Sequence, residues 1–286
     1  MPGSLFLVAT PIGNLEDITL RGLRVLREVD LIAAEDTRRT GRLLSHFGIT
    51  TPTTSLHAHN ESRRVPELLA KVAGGLRLAV VTDAGMPAVS DPGYLVVRHA
   101  IETGLPIVVV PGVSALTMAL AGSGLPSEEF CFLGFAPSRA AERRRWVASC
   151  LGGSSRTSVV FEAPGRVKGL LGDVLEALGD RQVVVAREMT KIHETWYRGW
   201  ASDFSGAGDG PIPERGECVV LVSNLIRPGS AAHRATSDEE IFALFKAATD
   251  SESLSRRDAI AKVARQLDLP KKSVYAIVER AKLSVE

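Results

Sequence analysis

The chain has 286 residues, 45% of them hydrophobic and 23% charged, and 34 basic against 33 acidic side chains leave a formal charge of +1. That length allows two domains or one large one, and the composition is that of an ordinary globular protein. Near neutrality excludes a whole-molecule field that would draw in nucleic acid, so an RNA partner has to meet a local basic patch. Cys131, Cys150 and Cys218 are odd in number and widely spaced, which fits reduced cytoplasmic thiols and predicts no metal site. The N-terminus passes straight into a strand and every apolar run is too short to span a bilayer, so a cytoplasmic protein is expected.

In chain order, residues 5–9 form an apolar strand that runs into Thr10-Pro11-Ile12-Gly13-Asn14. Leu20, Leu23, Val25, Leu26 and Val29 share one face of a helix over residues 19–29. An apolar strand at 31–34 ends on Glu35-Asp36, and helices follow at 38–47 and 61–74, the latter with Pro66 tolerated only near its start. The strand at 77–81 stops at Thr82-Asp83-Ala84-Gly85-Met86-Pro87, a loop that continues through Val89-Ser90-Asp91-Pro92-Gly93 to a helix at 94–103. The strand at 107–110 runs into Pro111-Gly112-Val113-Ser114 and a helix of small residues, and Gly122-Ser123-Gly124 then reads as a hinge. Beyond it, strands are expected at 130–133, 157–161, 182–186 and 217–222, with an arginine-rich helix after the first and at least one antiparallel pair. Residues 226–236 read as a linker, followed by three helices with a capping-box signal at Ser237 and Glu240 and a break at 268–270. The expected division is an α/β domain at 1–124, a second at 125–225, the linker, and a helical module at 237–286.

Three apolar strands that each end in a glycine-containing loop imply a parallel sheet whose carboxyl edge forms one crevice, the usual ligand site of open α/β sheets. Small residues let backbone approach a ligand, and Asp83 and Asp91 offer acceptors. A phosphate cradle would want amides and a Lys or Ser/Thr at a helix start, so this loop suits a neutral or cationic ligand. Gly206-Ala207-Gly208-Asp209-Gly210 imitates a nucleotide fingerprint, but no strand precedes it and Pro211 and Pro213 oppose a following helix; it reads as a loop.

Several motifs occur in order: residues 9–15 around Thr10-Pro11-Ile12-Gly13-Asn14, Glu35-Asp36-Thr37-Arg38, His57-Ala58-His59-Asn60-Glu61, Thr82-Asp83-Ala84-Gly85, Pro111-Gly112, Gly124-Leu125-Pro126, Phe161-Glu162, Arg187-Glu188-Met189-Thr190-Lys191 and Gly216-Glu217. Together they resemble the tetrapyrrole-methylase class of S-adenosylmethionine enzymes over about residues 5–223, and within it the branch that acts on small-subunit ribosomal RNA. The resemblance implies two α/β domains with S-adenosylmethionine in the crevice between them, and a homodimer. It places the cofactor against Pro11, Ile12 and Gly13; Asp83, Ala84, Gly85, Met86 and Val89; Pro111, Gly112 and Ser114; and Phe161 and Glu162. It also implies 2′-O-methylation of a cytidine in the decoding region of 16S ribosomal RNA. The chain departs from the pattern at Met86, where the subgroup usually has Thr, and at Ala163, where Ser is common.

A ribose hydroxyl is weakly acidic, so a carboxylate able to take its proton would help methyl transfer. Glu35 lies at a strand end on the crevice edge, and the resemblance puts a base there; capping of the next helix competes for Glu35 and is favoured for Asp36. Glu188, beside Arg187, either faces the crevice in support of catalysis or belongs to a structural ion pair. Asp36, Arg38, Arg39, His59, Arg166, Arg187 and Lys191 are the candidates for substrate contact. His57 and His59 lack further ligand spacing for zinc. Arg143, Arg144 and Arg145, like the other basic groups, either cover a solvated helix face or track a phosphate backbone. Trp146, Trp196, Tyr197 and Trp200 offer stacking, with core or dimer burial the default. In the tail, Ala259, Ile260, Val263, Ala264, Val274, Ile277 and Val278 have helix-turn-helix spacing, which serves nucleic-acid docking or simple packing. Two rivals remain: a methylase of this fold acting on a tetrapyrrole or a modified protein side chain, and a non-catalytic nucleic-acid binder.

Overall fold

The computed structural model describes residues 3–151, 156–206, 212–228, 238–250, 254–266 and 271–283. Strands β1 (Ser4–Val8), β2 (Leu31–Ala34), β3 (Thr53–Ser55), β4 (Arg77–Val81) and β5 (Ile107–Val110) form one sheet in the order β3-β2-β4-β1-β5. Every pairing in it is parallel. Parallel strands need crossovers, and these are helices α1 (Leu20–Glu28), α2 (Thr37–His46), α3 (Glu61–Ala73) and α4 (Tyr94–Glu102). Side chains alternate across the sheet: Leu5 and Leu7 of β1 join Leu78 and Val80 under α3 and α4, while Val8 joins Ile32, Ala79 and Val81 under α1 and α2. Burial on both faces is why these strands read as unbroken apolar runs.

Helix α5 (Ala115–Ser123) leads to the second sheet. That sheet contains β6 (Phe130–Phe135), β7 (Thr157–Glu162), β8 (Arg181–Arg187), β9 (Thr195–Trp200) and β10 (Cys218–Ile226), in the order β6-β7-β10-β8-β9. Only β6 and β7 run parallel; β10 is antiparallel to β7 and β8, and β9 to β8. Helices α6 (Ala140–Trp146), α7 (Pro164–Leu178) and α8 (Ala201–Ser205) belong to this half. One face, with Val160, Val183, Val185, Val220 and Val222, packs on Val167, Leu170, Leu171 and Val174 of α7. The other, with Val159, Val184, Ala186, Val219 and Leu221, is covered by Ala119 and Leu120 of α5 and by Ile12 from the loop after β1. The first half of the chain thus closes the inner face of the second sheet, and the two sheets share a seam.

Helices α9 (Asp238–Asp250), α10 (Arg256–Gln266) and α11 (Lys271–Leu283) pack on one another around Ile241, Phe245, Ile260, Val263, Val274 and Val278. The apolar spacing read from the sequence therefore forms a small core of its own.

Several expectations are corrected. β9 adds a strand that the sequence pattern does not announce: its Thr-Trp-Tyr-Arg-Gly-Trp run lies at the sheet edge, and Trp196 and Tyr197 pack against the cores. Asn60 does not cap α3 with its side chain; its Oδ1 accepts from the His57 amide, and its Nδ2 donates to Ser55. The linker does not begin at 226, because β10 extends through Ile226. Arg143 is no part of a basic surface: it is buried with Asp173 at 2.6 Å and ties α6 to α7. The capping signal at Ser237, the break at 268–270 and most of the 206–210 loop lie outside the described residues.

Candidate active site

The carboxyl ends of β1, β2 and β4 are laced into one edge. Thr10 and Gly85 exchange backbone bonds of 2.9 and 3.0 Å, and the Thr10 hydroxyl donates to the Thr82 carbonyl at 2.9 Å. The Asp83 amide donates to Glu35 Oε2 at 3.2 Å, and Asp83 Oδ1 accepts from the Asp36 amide at 3.1 Å. Arg39 reaches Asp83 Oδ2 at 3.2 Å. Gly85 has φ of +77°, a left-handed conformation in which a side chain would be strained, so glycine lets this loop turn back to Thr10.

The loop that follows is held from beneath. Glu61, buried, accepts from the Gly93 and Leu95 amides through Oε1 at 3.0 and 3.1 Å. Ala88 and Ser90 take positive φ of 69° and 63° without being glycine, a local strain that such anchoring sustains. Between them and Gly93, Asp91 faces the crevice. Burial, then the charges of Glu35 and Asp83, push its carboxyl up to about 7.

The crevice has a volume of about 450 Å³, within the range of small-ligand sites. From the first half it is lined by Ile12, Glu35, Arg39, Asp83, Ala84, Gly85, Met86, Val89 and Ser114. Phe161, Glu162 and Arg166 close it from the second sheet. The structure brings these candidate residues together around one cavity. The remaining candidates lie behind or beside the crevice. Gly112 packs on Ala9, where an added Cβ would meet the alanine Cβ at 2.7 Å, and Gly13 packs on Lys191. With Pro11 and Pro111 they shape the loops without lining the cavity. Asp36 caps α2 through the Arg38 amide at 2.8 Å and also pairs with Arg38, which holds its carboxyl near 2. His59 is exposed away from the lining, and Arg187 Nε donates to the Arg215 carbonyl at 2.9 Å.

Of the two readings of Glu188, the structure shows the ion pair: it lies outside the lining and acts as a brace. Its Oε1 accepts from Lys191 Nζ at 2.9 Å and from the Glu217 amide at 2.8 Å, so this pair fixes the Gly216–Glu217 segment that does line the cavity. Arg166 is likewise a clamp: Nη2 donates to the carbonyls of Ala136 and Pro137 and to Glu162 Oε2. Burial raises the Glu162 carboxyl, partly offset by the Ala163 amide and Arg166.

Sequence reasoning missed Ser90, Leu116, Phe135, Ala186, Met189 and Cys218 in the lining. Cys218 is no nucleophile, since burial pushes its thiol up to about 12. Phe135 had one available signal, the isolated Gly134 inside an apolar strand.

The donor set tests the implied cofactor. Carboxylates dominate the polar lining, no Lys lines it among the described residues, and apolar walls at Ile12, Met86, Leu116 and Met189 complete it. That chemistry fits a cationic, partly aromatic ligand, and S-adenosylmethionine is one. Among the described residues no group of three or more His, Cys, Asp or Glu is placed to hold a metal ion.

Comparison with known proteins agrees with this geometry. The sequence model of the tetrapyrrole (corrin/porphyrin) methylases matches residues 4–204. Ribosomal RNA small subunit methyltransferase I of Thermotoga maritima is 50% identical over 77% of this chain and 98% of its own length. The protein of that name from Halalkalibacterium halodurans is 38% identical over 96% of this chain and 94% of its own. Among solved structures, uroporphyrin-III C-methyltransferase of Thermus thermophilus complexed with S-adenosyl homocysteine has a TM-score of 0.53 at 17% identity, covering 77% of this chain and 97% of that one, and so shares the fold. The chain belongs to the tetrapyrrole methylase family, in the group of the ribosomal RNA small subunit methyltransferases I.

Proposed function

We propose that this protein transfers a methyl group from S-adenosylmethionine to the 2′-hydroxyl of a cytidine in 16S ribosomal RNA. The observation that carries the reading is likeness along almost the whole chain to proteins named for small-subunit ribosomal RNA, at 38% identity over 284 residues. The crevice supports it, since its carboxylates and apolar walls suit this donor.

When bound, the donor supplies an electrophilic methyl group on a sulfonium. The chain's own part is mainly positioning, with water excluded from the line of attack. Ile12, Met86, Leu116 and Met189 form dry walls, and Gly85 lets backbone approach. Glu35 is oriented through Oε2 by the Asp83 amide, while Oε1, without a partner among the described residues, is the atom that takes or orients the ribose proton. Glu188 acts at one remove, bracing the Gly216–Glu217 wall. Arg38 and Arg39, on the first turn of α2, are paired with Asp36 and Asp83 yet stand 87% and 64% exposed in their side chains, so both stay accessible to an RNA phosphate beside the crevice.

We also infer a cytoplasmic homodimer. Relatives named for small-subunit ribosomal RNA support the compartment, and β5 is an edge strand with Val109 53% exposed. An open apolar edge of this kind favours burial against a second copy. Sedimentation over a wide concentration range should give one dimeric species; a persistent monomer removes this part of the reading.

The decisive experiment offers labelled S-adenosylmethionine with purified small subunits, naked 16S RNA and tetrapyrrole precursors in parallel. Label in a cytidine ribose of the RNA is expected. Label only in a tetrapyrrole, or in none of the three, would overturn the assignment.

A further inference from the structure

Phe135 is out of place for a strand residue. Along β6, Phe130, Cys131 and Phe132 face Thr157, Ser158 and Val159 of β7 in register, but Phe135 then faces Phe161. Three steps on one strand therefore match two on the other, which is a bulge, and Gly134 at its centre has φ of +65°. Side chains in a regular strand alternate, so Phe132 and Phe135 would point to opposite faces. The extra residue brings both to one face. Their rings meet Phe161 edge-on, with centroids at 4.8 and 5.6 Å.

Phe132 and Phe161 are partly buried on the seam between the sheets, whereas Phe135 lines the crevice and is 64% exposed. Nothing within the described residues covers it. Its position is nevertheless fixed. Arg166 grips the two carbonyls just after it, those of Ala136 and Pro137, at 2.7 and 2.9 Å. Beside it lies the strained Ala88–Ser90 loop: a Cβ on Gly134 would be in ordinary contact with Ser90 Oγ, at 3.5 Å. A bulge that re-aims one large ring into an active-site crevice, and a clamp that holds it there, expose apolar area that needs a planar partner.

We propose that Phe135 is the stacking platform for the nucleobase of the nucleotide being methylated. The inference rests on the RNA reading above and adds the residue that receives the base. Bringing a ribose hydroxyl in line with a methyl donor takes the nucleotide out of its stack, and an aromatic face replaces part of the lost stacking whatever the base. The donor's own aromatic ring is the rival occupant. It is disfavoured because Phe135 stands at the solvent side, while the strand-end loops with Gly85 and Met86 form the deeper part: Met86 packs into the first core and Gly85 is buried.

The test compares the parent with Phe135→Ala and Phe135→Trp, each confirmed folded by thermal melting. With saturating S-adenosylmethionine and the RNA substrate the parent accepts, Phe135→Ala should lose about 5- to 150-fold in kcat/KM, the span that one stacked base carries. Phe135→Trp should keep most of the parent rate. Calorimetric affinity for S-adenosylhomocysteine should stay within about twofold in both, by the same separation of sites. In Phe135→Trp, RNA should quench the added indole emission and S-adenosylhomocysteine alone should not. A parent-like kcat/KM in Phe135→Ala overturns the platform while leaving the methylation reading intact. Loss of S-adenosylhomocysteine affinity matching the loss with RNA assigns the ring to the donor and also overturns it. A parent that methylates no RNA takes both readings down together.

Discussion

The two sheets build opposite halves of one crevice by opposite means. In the first, every strand is parallel, so all carboxyl ends meet at one edge and their loops can concentrate Glu35, Asp83 and Asp91 there. In the second, pairing is mostly antiparallel, so its crevice edge mixes the carboxyl ends of β7 and β8 with the amino end of β10. Its carboxylates there, Glu162 and Glu217, are paired with Arg166 and Lys191, and its main contribution is a face: Phe161, Ala186, Val219 and the bulged Phe135. The first half thus brings the carboxylates Glu35 and Asp91, which no described ion pair neutralises, and the second brings apolar surface on strands. Methyl transfer from a cation to a neutral hydroxyl has use for both, a carboxylate for the proton and a dry wall for alignment.

If the charged half carries the chemistry, removing its key charge gives the largest effect. Glu35→Gln keeps shape and the bond from the Asp83 amide but lacks the basic oxygen. Single-turnover methylation should fall by about a hundred- to ten-thousand-fold, the usual value of general-base help, with donor affinity little changed. A rate within about twofold of the parent, against that expectation, would reduce Glu35 to an anchor for the loop. Gly85→Val then tests the geometry of the same half. A β-branched residue at φ of +77° is strained by about 1–3 kcal/mol and pulls at the Thr10 bridge. Calorimetry should show donor affinity weakened at least tenfold, as roughly 1.4 kcal/mol implies; unchanged affinity in a folded variant places the donor elsewhere.

The tail belongs to neither half and packs on itself. Its buried residues form one cluster separate from the four that build the body. Arg257, Lys271 and Lys272 are exposed on it. Truncation near residue 230 should raise KM for RNA about three- to tenfold at low salt, as for the loss of a few phosphate contacts, and leave donor binding unchanged. Loss of both at once would show that the body depends on the tail.

The parallel half was legible because burial on both faces writes continuous apolar runs, and because glycine and aspartate mark the loop after each. Glu35, Asp83 and Gly85 could be placed at one edge from that pattern alone. The second half hid more. β9 carries polar and aromatic residues at a sheet edge and so does not read as a strand, although Trp196 and Tyr197 take the burial expected of them by default. Arg143, Arg166 and Glu188 carry charge in sequence, and only the fold reveals that Asp173, two carbonyls and a backbone amide already use it. Phe135 was hidden by the bulge: an alternating strand puts it on the wrong face, and one left-handed glycine reverses that.

The smallest expected effect tests whether the charged edge is under electrostatic stress, and Asp91 reports it. Its carboxyl stands at about 7 in the folded protein against 3.8 as the ordinary value, through burial first and then the nearby charges of Glu35 and Asp83. Arg39 is committed to Asp83, Glu61 to the backbone at Gly93 and Leu95, and Arg166 to Glu162, so no cation is paired with Asp91 among the described residues. Between the two values the folded state holds more proton than the unfolded chain, so this group's contribution to stability is full below about pH 4 and is lost as pH rises to about 7. Asp91→Asn stays neutral throughout. Relative to the parent it should melt roughly 1–3 °C higher at pH 8, a shift consistent with well under 2 kcal/mol after allowance for solvent screening, and equally at pH 4. A melting difference that does not depend on pH, or a variant less stable at pH 8, would mean that Asp91 is already compensated and that the crevice edge carries no excess negative charge.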